Sequence, residues 1–221
     1  MIMLIVIIIL MSFSILLSFL WAPSAAILGE SSKMLFFHVP LAWVSVLAFL
    51  TSGIFSIIYL ADKRRRFSLL DEKSHNSVIL GTLFTVLATI TGAFWSKLSW
   101  GMYWNWDPRQ TSIVVLILIY LAYFSLRSSL QHNPNRGRIT AVYLILALLT
   151  VPFFVFIIPR VYPSLHPDPI INPERKIHIA GEMRIALLLS LISFTLLYFY
   201  LLTLLNRVSR IVARIEEADE G

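Results

Sequence analysis

The chain contains no cysteine among its 221 residues. That absence excludes disulfide bonds, thiolate metal ligands and covalent haem attachment through a Cys-x-x-Cys-His sequence. Charged residues are also scarce, at 14% of the chain, and 58% of the residues are hydrophobic, whereas about a quarter of a soluble domain is charged. The sequence lacks internal repeats and glycine-rich phosphate loops, so it offers no nucleotide site. This composition predicts a single integral membrane domain covering residues 1–221.

Six apolar runs are each close to the roughly 20 residues that a membrane-spanning helix needs. They cover residues 2–20, 40–60, 77–96, 111–128, 139–158 and 183–205. A signal peptide is an alternative for the first run. However, it lacks a basic start and is long for the apolar part of such a peptide, which favours an uncleaved helix. We therefore predict an all-α, polytopic membrane bundle of six transmembrane helices.

The positions of lysine and arginine predict the orientation, because short cytoplasmic loops carry an excess of positive charge. The second loop, the fourth loop and the C-terminal tail hold most of these residues. Both termini should then be cytoplasmic, with the first, third and fifth loops facing outward. The basic run Lys63–Arg66 has no interleaved aromatic residues, so it indicates topology and contact with membrane lipid, with no nucleic acid partner.

The predicted third loop, residues 95–111, is unusually aromatic. It contains four of the six tryptophans of the chain together with a tyrosine, namely Trp95, Trp100, Trp104, Trp106 and Tyr103. Tryptophan is common at membrane interfaces because indole has an apolar body and one N–H donor. Four within twelve residues exceed what an interfacial belt requires. The stretch indicates a platform for a large flat ligand.

Two of the five histidines lie in predicted outer segments. His38 precedes Pro40, which suits the first turn of the second helix, and we expect aromatic neighbours around it, namely Phe36, Phe37 and Trp43. His166 lies in the fifth loop, which holds five of the ten prolines and is therefore stiff. His178 is a second choice to His166, since Lys176 and Ile177 beside it are typical of a helix start.

An imidazole from each of two outer loops, together with an aromatic surface, fits haem. The imidazoles would ligate the iron from opposite faces, and the aromatic rings would cover the porphyrin. Basic side chains would pair with the propionates, the candidates being Arg109, Arg160, Arg175 and Lys176. Zinc fits less well, because it takes three or four closely grouped ligands. His75 and His132, in the cytoplasmic loops, are interpreted as solvated.

The residues Asp107–Gln110 are typical of a helix start. Asp107 is predicted to be the N-cap, Pro108 to occupy the first helical position, and Gln110 to complete a capping box. Arg109 is a cation in the first helical turn, where it opposes the helix dipole unless an anion is near. A propionate would supply that anion, and Asp107 or a lipid phosphate are the alternatives.

At these residues the sequence resembles the WWD family of haem-handling proteins of cytochrome c assembly. The stretch from Trp100 to Ser112, WGMYWNWDPRQTS, is similar to the tryptophan-rich signature of that family. The stretches FFHVPLAW around His38 and SLHPD around His166 resemble the two histidine segments of its smaller branch, the haem exporter protein C (CcmC) family. The resemblance covers most of the chain and implies a haem-handling membrane protein that is not an enzyme.

The resemblance also implies roles for individual residues. His38 and His166 would be the axial ligands of a transiently bound haem b, and the haem-binding surface would contain Trp100, Gly101, Trp104, Trp106 and Asp107. Tyr103 departs from the pattern, since some members have tryptophan there. The implied partners are the haem chaperone CcmE, the ABC-type ATPase and permease subunits CcmA and CcmB, and the small subunit CcmD.

Three other functions are compatible with parts of this pattern. A CcsA-type cytochrome c haem lyase shares the tryptophan-rich loop, but it is larger and carries histidines inside its spanning helices. A membrane b-type electron-transfer subunit also needs histidine pairs within the helices. None of the six apolar runs is expected to bury a histidine, and the chain is short. A permease with an ordinary aromatic belt would need neither outer histidine.

Overall fold

A computed structural model describes residues 2–26, 28–62, 69–166 and 179–219, the side chains of 216, 217 and 219 excepted. Helices account for most of these ranges, and no strand occurs within them. The α-helices are α1 (Ile2–Leu16), α2 (Leu35–Ala61), α3 (Leu70–Trp100), α4 (Pro108–Ser129), α5 (Arg136–Pro152), α6 (Ile158–Val161) and α7 (Gly181–Asp219). Short 3-10 or π turns extend α1 and α2 and join α5 to α6.

Six helical segments in the described part of the chain are long and apolar enough to cross a membrane. The predicted all-α bundle of six spanning helices is therefore confirmed. The predicted ends of the helices were less accurate, because hydropathy marks the apolar middle of a helix and not its polar ends. In particular, α3 continues to Trp100 and α4 begins at Pro108. The non-helical part of the predicted loop 95–111 is only residues 101–107.

The start of α2 also differs from the prediction, and this moves His38 from a loop into a helix. Because α2 begins at Leu35, Pro40 is its sixth residue and not part of its first turn. A proline there leaves the carbonyl of Phe36, four residues earlier, without its helical partner. The hydroxyl of Ser190 in α7 donates a hydrogen bond to that carbonyl. This contact satisfies the carbonyl and anchors the start of α2 against α7.

Small polar residues let α2 and α3 pack closely, as is common where helices associate in membranes. The hydroxyl of Ser74 lies 3.0 Å from that of Ser52 and 2.8 Å from that of Ser56. A side chain at Gly81 would collide with Phe49, whose ring stacks on Tyr120 of α4 at 3.7 Å between centroids. The pair α2 and α3 therefore forms the centre of the bundle, against which α4, α5 and α7 pack.

The end of the bundle remote from residues 101–107 contains a buried charge cluster. The Arg127 guanidinium, in the last turn of α4, contacts both carboxylate oxygens of Asp71 at 3.0 Å and Glu72 at 2.7 Å. His75 lies in α3, with Nδ1 3.0 Å from the Tyr123 hydroxyl. The interpretation of His75 as a solvated loop residue was therefore wrong, since this residue is half-buried in α3, just before the predicted apolar run 77–96. His132 is exposed between α4 and α5, as expected.

Candidate functional site

The structure brings the two predicted outer histidines together. The ring of His38, in α2, and the ring of His166, five residues beyond α6, have centroids 6.3 Å apart and planes inclined by 59°. These residues are 128 positions apart in the sequence. Two imidazoles from distant parts of the chain therefore lie close together at one end of the bundle.

His38 is held by α3 and not by the aromatic residues predicted to surround it. Its Nδ1 lies 3.0 Å from the Ala88 carbonyl oxygen and 3.2 Å from the Thr91 hydroxyl. The predicted neighbours pack elsewhere because helical geometry turns them to other faces of α2. Phe36 packs against α7, Phe37 stacks on Phe19, and Trp43 donates a hydrogen bond to Thr195.

His166 is packed against tryptophans of α3. Its ring centroid lies 4.8 Å from that of Trp95 and 6.4 Å from that of Trp100, both edge-on. Burial lowers the pKa of His166 to about 3, and the positive charge of the nearby Arg109 contributes to the decrease. The imidazole is consequently neutral at physiological pH, which is the form that binds a metal.

The aromatic residues of the tryptophan-rich segment make three sets of ring contacts. Trp95 and Trp100, whose centroids are 4.9 Å apart, pack beside His166 from the last turns of α3. Trp104 and Trp106 make a separate edge-to-face pair at 6.0 Å. The Tyr103 ring packs edge-to-face against the Phe94 ring, with centroids 5.7 Å apart.

Two residues of the 101–107 connection adopt left-handed backbone conformations. Gly101 has φ +82° and ends α3, which is the usual position of such a glycine. Trp106 has φ +55°, an outlier for a bulky residue, and its side chain is 77% exposed. Strain of this kind persists only where the surroundings enforce it, and it is concentrated at functional sites. The fold thus keeps the Trp106 indole exposed, although the left-handed backbone of this residue costs free energy.

Asp107 connects the tryptophan-rich segment to the His166 segment. Its carboxylate accepts a hydrogen bond from the Arg109 backbone N–H at 2.9 Å, which confirms the predicted N-cap of α4. The same carboxylate accepts from the Ser164 hydroxyl and from the Leu165 backbone N–H at 2.7 Å. Ser164 in turn accepts from the His166 backbone N–H at 3.1 Å. Asp107 is only 5% exposed. Its buried carboxylate therefore holds the start of α4 and the segment before His166 together.

Sequence reasoning missed a second polar group, formed by Ser96, Asn105 and Gln110. The Gln110 carbonyl accepts from the Asn105 backbone N–H at 2.8 Å, and the Asn105 amide donates to the Ser96 hydroxyl at 2.6 Å. The predicted capping box is therefore wrong, since Gln110 bonds to a residue two positions before the N-cap Asp107. These contacts fix the path of the 101–107 connection, and hydrophobic periodicity carries no signal for them.

The predicted basic residues are only partly described. Arg109 lies close enough to His166 for its charge to lower the pKa of that histidine. Arg160 is exposed on α6 and donates to the Phe156 carbonyl at 2.6 Å. The remaining candidates, Arg175, Lys176 and His178, and three of the five loop prolines, Pro167, Pro169 and Pro173, lie outside the described residues.

Comparison with known proteins gives a consistent set of relatives. A family model described as "CcmC: Heme exporter protein C" matches residues 1–220. A "Putative cytochrome c biosynthesis ccmC-like mitochondrial protein" of Marchantia polymorpha is 31% identical over 190 residues, covering 86% of this chain and 79% of the relative. "Heme exporter protein C" of Rhodobacter capsulatus is 29% identical over 202 residues, covering 91% and 82%. That of Bradyrhizobium diazoefficiens is 30% identical over 191 residues, covering 86% and 71%.

Proposed function

This chain belongs to the heme exporter protein C family, which handles haem in cytochrome c biogenesis, and we propose that it ligates haem between His38 and His166. In this proposal the protein presents haem b at the outer face of the cytoplasmic membrane and delivers it to the haem chaperone CcmE. It acts as part of an ABC-type haem export complex with CcmA, CcmB and CcmD. Haem is the cargo of the protein and is bound only transiently.

The single observation that supports this function best is the spacing of the two histidines. A metal bound by two imidazoles on opposite faces puts the ring centroids about 6 Å apart, given bonds of about 2 Å and roughly 1 Å from each nitrogen to its ring centre. The separation of 6.3 Å between His38 and His166 matches that requirement. The two imidazoles come from separate elements, so they can approach the iron of a planar porphyrin from its two faces.

The surroundings of the two imidazoles suit a porphyrin better than a bare metal ion. In the described part of the chain, no group of three or more His, Cys, Asp or Glu side chains is placed to hold a metal. Trp95 and Trp100 line the His166 side with apolar rings, and such rings gain contact energy against a large flat ligand. We assign Trp104, Trp106, Tyr103 and Gly101 to the same surface, and Arg109 to a propionate.

Transfer of the cargo requires ligands that can be exchanged. A neutral imidazole holds iron without a permanent bond, and a ligand of the acceptor can replace it while the other imidazole stays in place. The protein does not make or break a covalent bond in this scheme. It binds, orients and releases haem, and the free energy for any ATP-dependent step comes from the partner subunits.

The experiment that tests this function follows haem from the chain to the chaperone. The haem-loaded protein is mixed with haem-free CcmE in the presence of CcmA, CcmB, CcmD and ATP, and the two haem carriers are then separated. We expect haem absorption to decrease on this chain and to appear on CcmE in equal amount. Haem that stays entirely on the chain under these conditions would contradict the proposed delivery.

The proposed orientation, with both termini cytoplasmic and the histidines outside, has a test of its own. Because the chain has no cysteine, a single introduced cysteine is the one thiol through which the purified chain can carry a label. Met102 is 57% exposed beside the site, and Gln131 is exposed between α4 and α5. We expect a membrane-impermeant maleimide to label Met102→Cys but not Gln131→Cys in cells whose inner membrane is intact. The reverse pattern would invert the proposed topology.

A further inference from the structure

We propose that residues Ala88–Gly92 of α3 form a seat for His38, in which Gly92 and Thr91 are positioning residues for the ligating imidazole. This inference rests on the proposed ligation of haem by His38. Neither Gly92 nor Thr91 belongs to the tryptophan-rich segment or to a histidine motif. The seat determines where the imidazole lies and which of its nitrogens is available.

The steric part of the seat is Gly92. A Cβ atom built on this residue would lie 3.3 Å from Nδ1 and 2.9 Å from Cε1 of His38, and real Cβ atoms essentially never come as close to another atom as the second distance. The imidazole therefore packs directly on the backbone of α3, in a space that only glycine leaves open. Gly53 and Gly81 make comparable contacts with Leu148 and Phe49, but those contacts serve helix packing alone.

The polar part of the seat determines the tautomer of His38. A carbonyl oxygen can only accept a hydrogen bond, so the 3.0 Å contact with Ala88 requires a proton on Nδ1. The Thr91 hydroxyl proton goes to a carbonyl of its own helix, that of Leu87 at 2.9 Å or that of Ala88 at 3.1 Å, which leaves its oxygen as a second acceptor for His38 at 3.2 Å. Nδ1 is therefore the protonated nitrogen, and Nε2 keeps the lone pair that binds a metal.

This arrangement gives the two ligands different roles. An acceptor on the far nitrogen fixes the orientation of a ligating histidine and makes it a stronger base. His38 has two such acceptors on α3, at the centre of the bundle, whereas His166 lies in an irregular segment and is held through its backbone by Ser164. A site on helices is more precisely held than one on a loop. His38 is accordingly the retained ligand, and His166 the one that is exchanged during transfer.

The first test replaces Gly92 by alanine in the full-length protein. The added methyl group must push the His38 ring away from α3, so we expect haem affinity to fall about 10–100-fold, the range found when outer-shell support of a metal ligand is lost. Gly181→Ala is the matched control, since a Cβ at Gly181 meets no atom of the described residues within 4 Å. It should bind haem like the wild type.

The second test separates positioning from packing and stands alone if the Gly92 variant does not accumulate. Thr91→Val keeps the shape of the side chain but removes one acceptor from Nδ1, so the less basic imidazole stabilises ferric iron less, and the reduction potential of the bound haem should rise. Thr91→Ser should restore the wild-type potential. Thr89→Val is the control, because within the described ranges the Thr89 hydroxyl bonds to the Thr85 carbonyl of its own helix and not to His38.

These results can be told apart from a failure of haem ligation itself. Wild-type affinity in Gly92→Ala together with a wild-type potential in Thr91→Val would overturn the seat while leaving ligation by His38 intact. If His38→Ala keeps the complete haem spectrum of the wild type, the proposed ligation fails first. Where Gly92→Ala cannot be obtained as a purified protein, an unchanged reduction potential of the bound haem in Thr91→Val is sufficient to reject the seat.

Discussion

Replacement of both His38 and His166 by alanine is expected to abolish haem binding by the purified protein. The two rings supply both axial ligands of the proposed site, and their centroids are 6.3 Å apart. Loss of support around a metal ligand costs about 10–100-fold in affinity, so loss of the ligands themselves must cost more. The measurement is the haem absorption spectrum after haem supply, normalised to protein.

The single variants make this expectation more specific. His38→Ala and His166→Ala should each retain one ligand, giving weaker binding and a high-spin spectrum in place of the low-spin spectrum of two imidazoles. His132→Ala is the control, because His132 is exposed between α4 and α5, away from the site. An unchanged absorption band in the double variant would remove both residues as haem ligands and, with them, the basis of the proposed function.

The parts of the fold that were predictable depend on short-range signals. Six apolar runs predicted six spanning helices because hydropathy is read from consecutive residues, and the Asp107 cap was predicted because its signature spans only a few positions. Helix ends were predicted poorly, since α3 continues through Trp95 and Trp100 to a glycine that ends it. An aromatic cluster at a membrane surface is compatible with a loop or with the end of a helix, and composition does not distinguish the two.

The contacts that make the site depend on residues distant in the sequence, and these were not predictable. Gly92 has no distinctive local pattern, because its partner His38 is 54 positions away. The aromatic residues expected around His38 pack on other faces of α2, since a one-residue step turns a helical side chain by about 100°. His38 and His166 were identified by the chemistry of the proposed ligand, and not by any pattern that predicts their contact.

In the segment that joins α3 to α4, a strained backbone conformation is offset by hydrogen bonds. Trp106 adopts a left-handed conformation and is largely exposed, an arrangement that costs about 1–2 kcal/mol for a residue with a side chain. The hydrogen bonds that Asn105 donates to Gln110 and Ser96, and the one that the Asp107 carboxylate accepts from the Arg109 backbone N–H, oppose this cost. These hydrogen bonds therefore fix the shape of the segment that carries the proposed haem-binding surface.

Asp107→Ala is expected to weaken both the fold and haem binding. Loss of an N-cap costs about 1 kcal/mol, and loss of the acceptor for the Leu165 backbone N–H adds about 1–3 kcal/mol if that donor stays buried. We expect the free energy of unfolding in detergent to fall by about 2–4 kcal/mol on this basis. Haem affinity should fall by about 10–100-fold, since the His166 segment loses its support.

Asp107→Ser separates the two roles of this carboxylate. Serine is a good N-cap, so the start of α4 should be retained, but its short side chain does not reach Ser164 and Leu165, which aspartate contacts at 3.0 and 2.7 Å. The unfolding free energy should therefore recover by about 1 kcal/mol relative to alanine, whereas haem affinity should stay as low as in Asp107→Ala. If Asp107→Ser bound haem like the wild type, capping alone would explain the residue, and the connection from Asp107 to the His166 segment would have no part in holding the ligand.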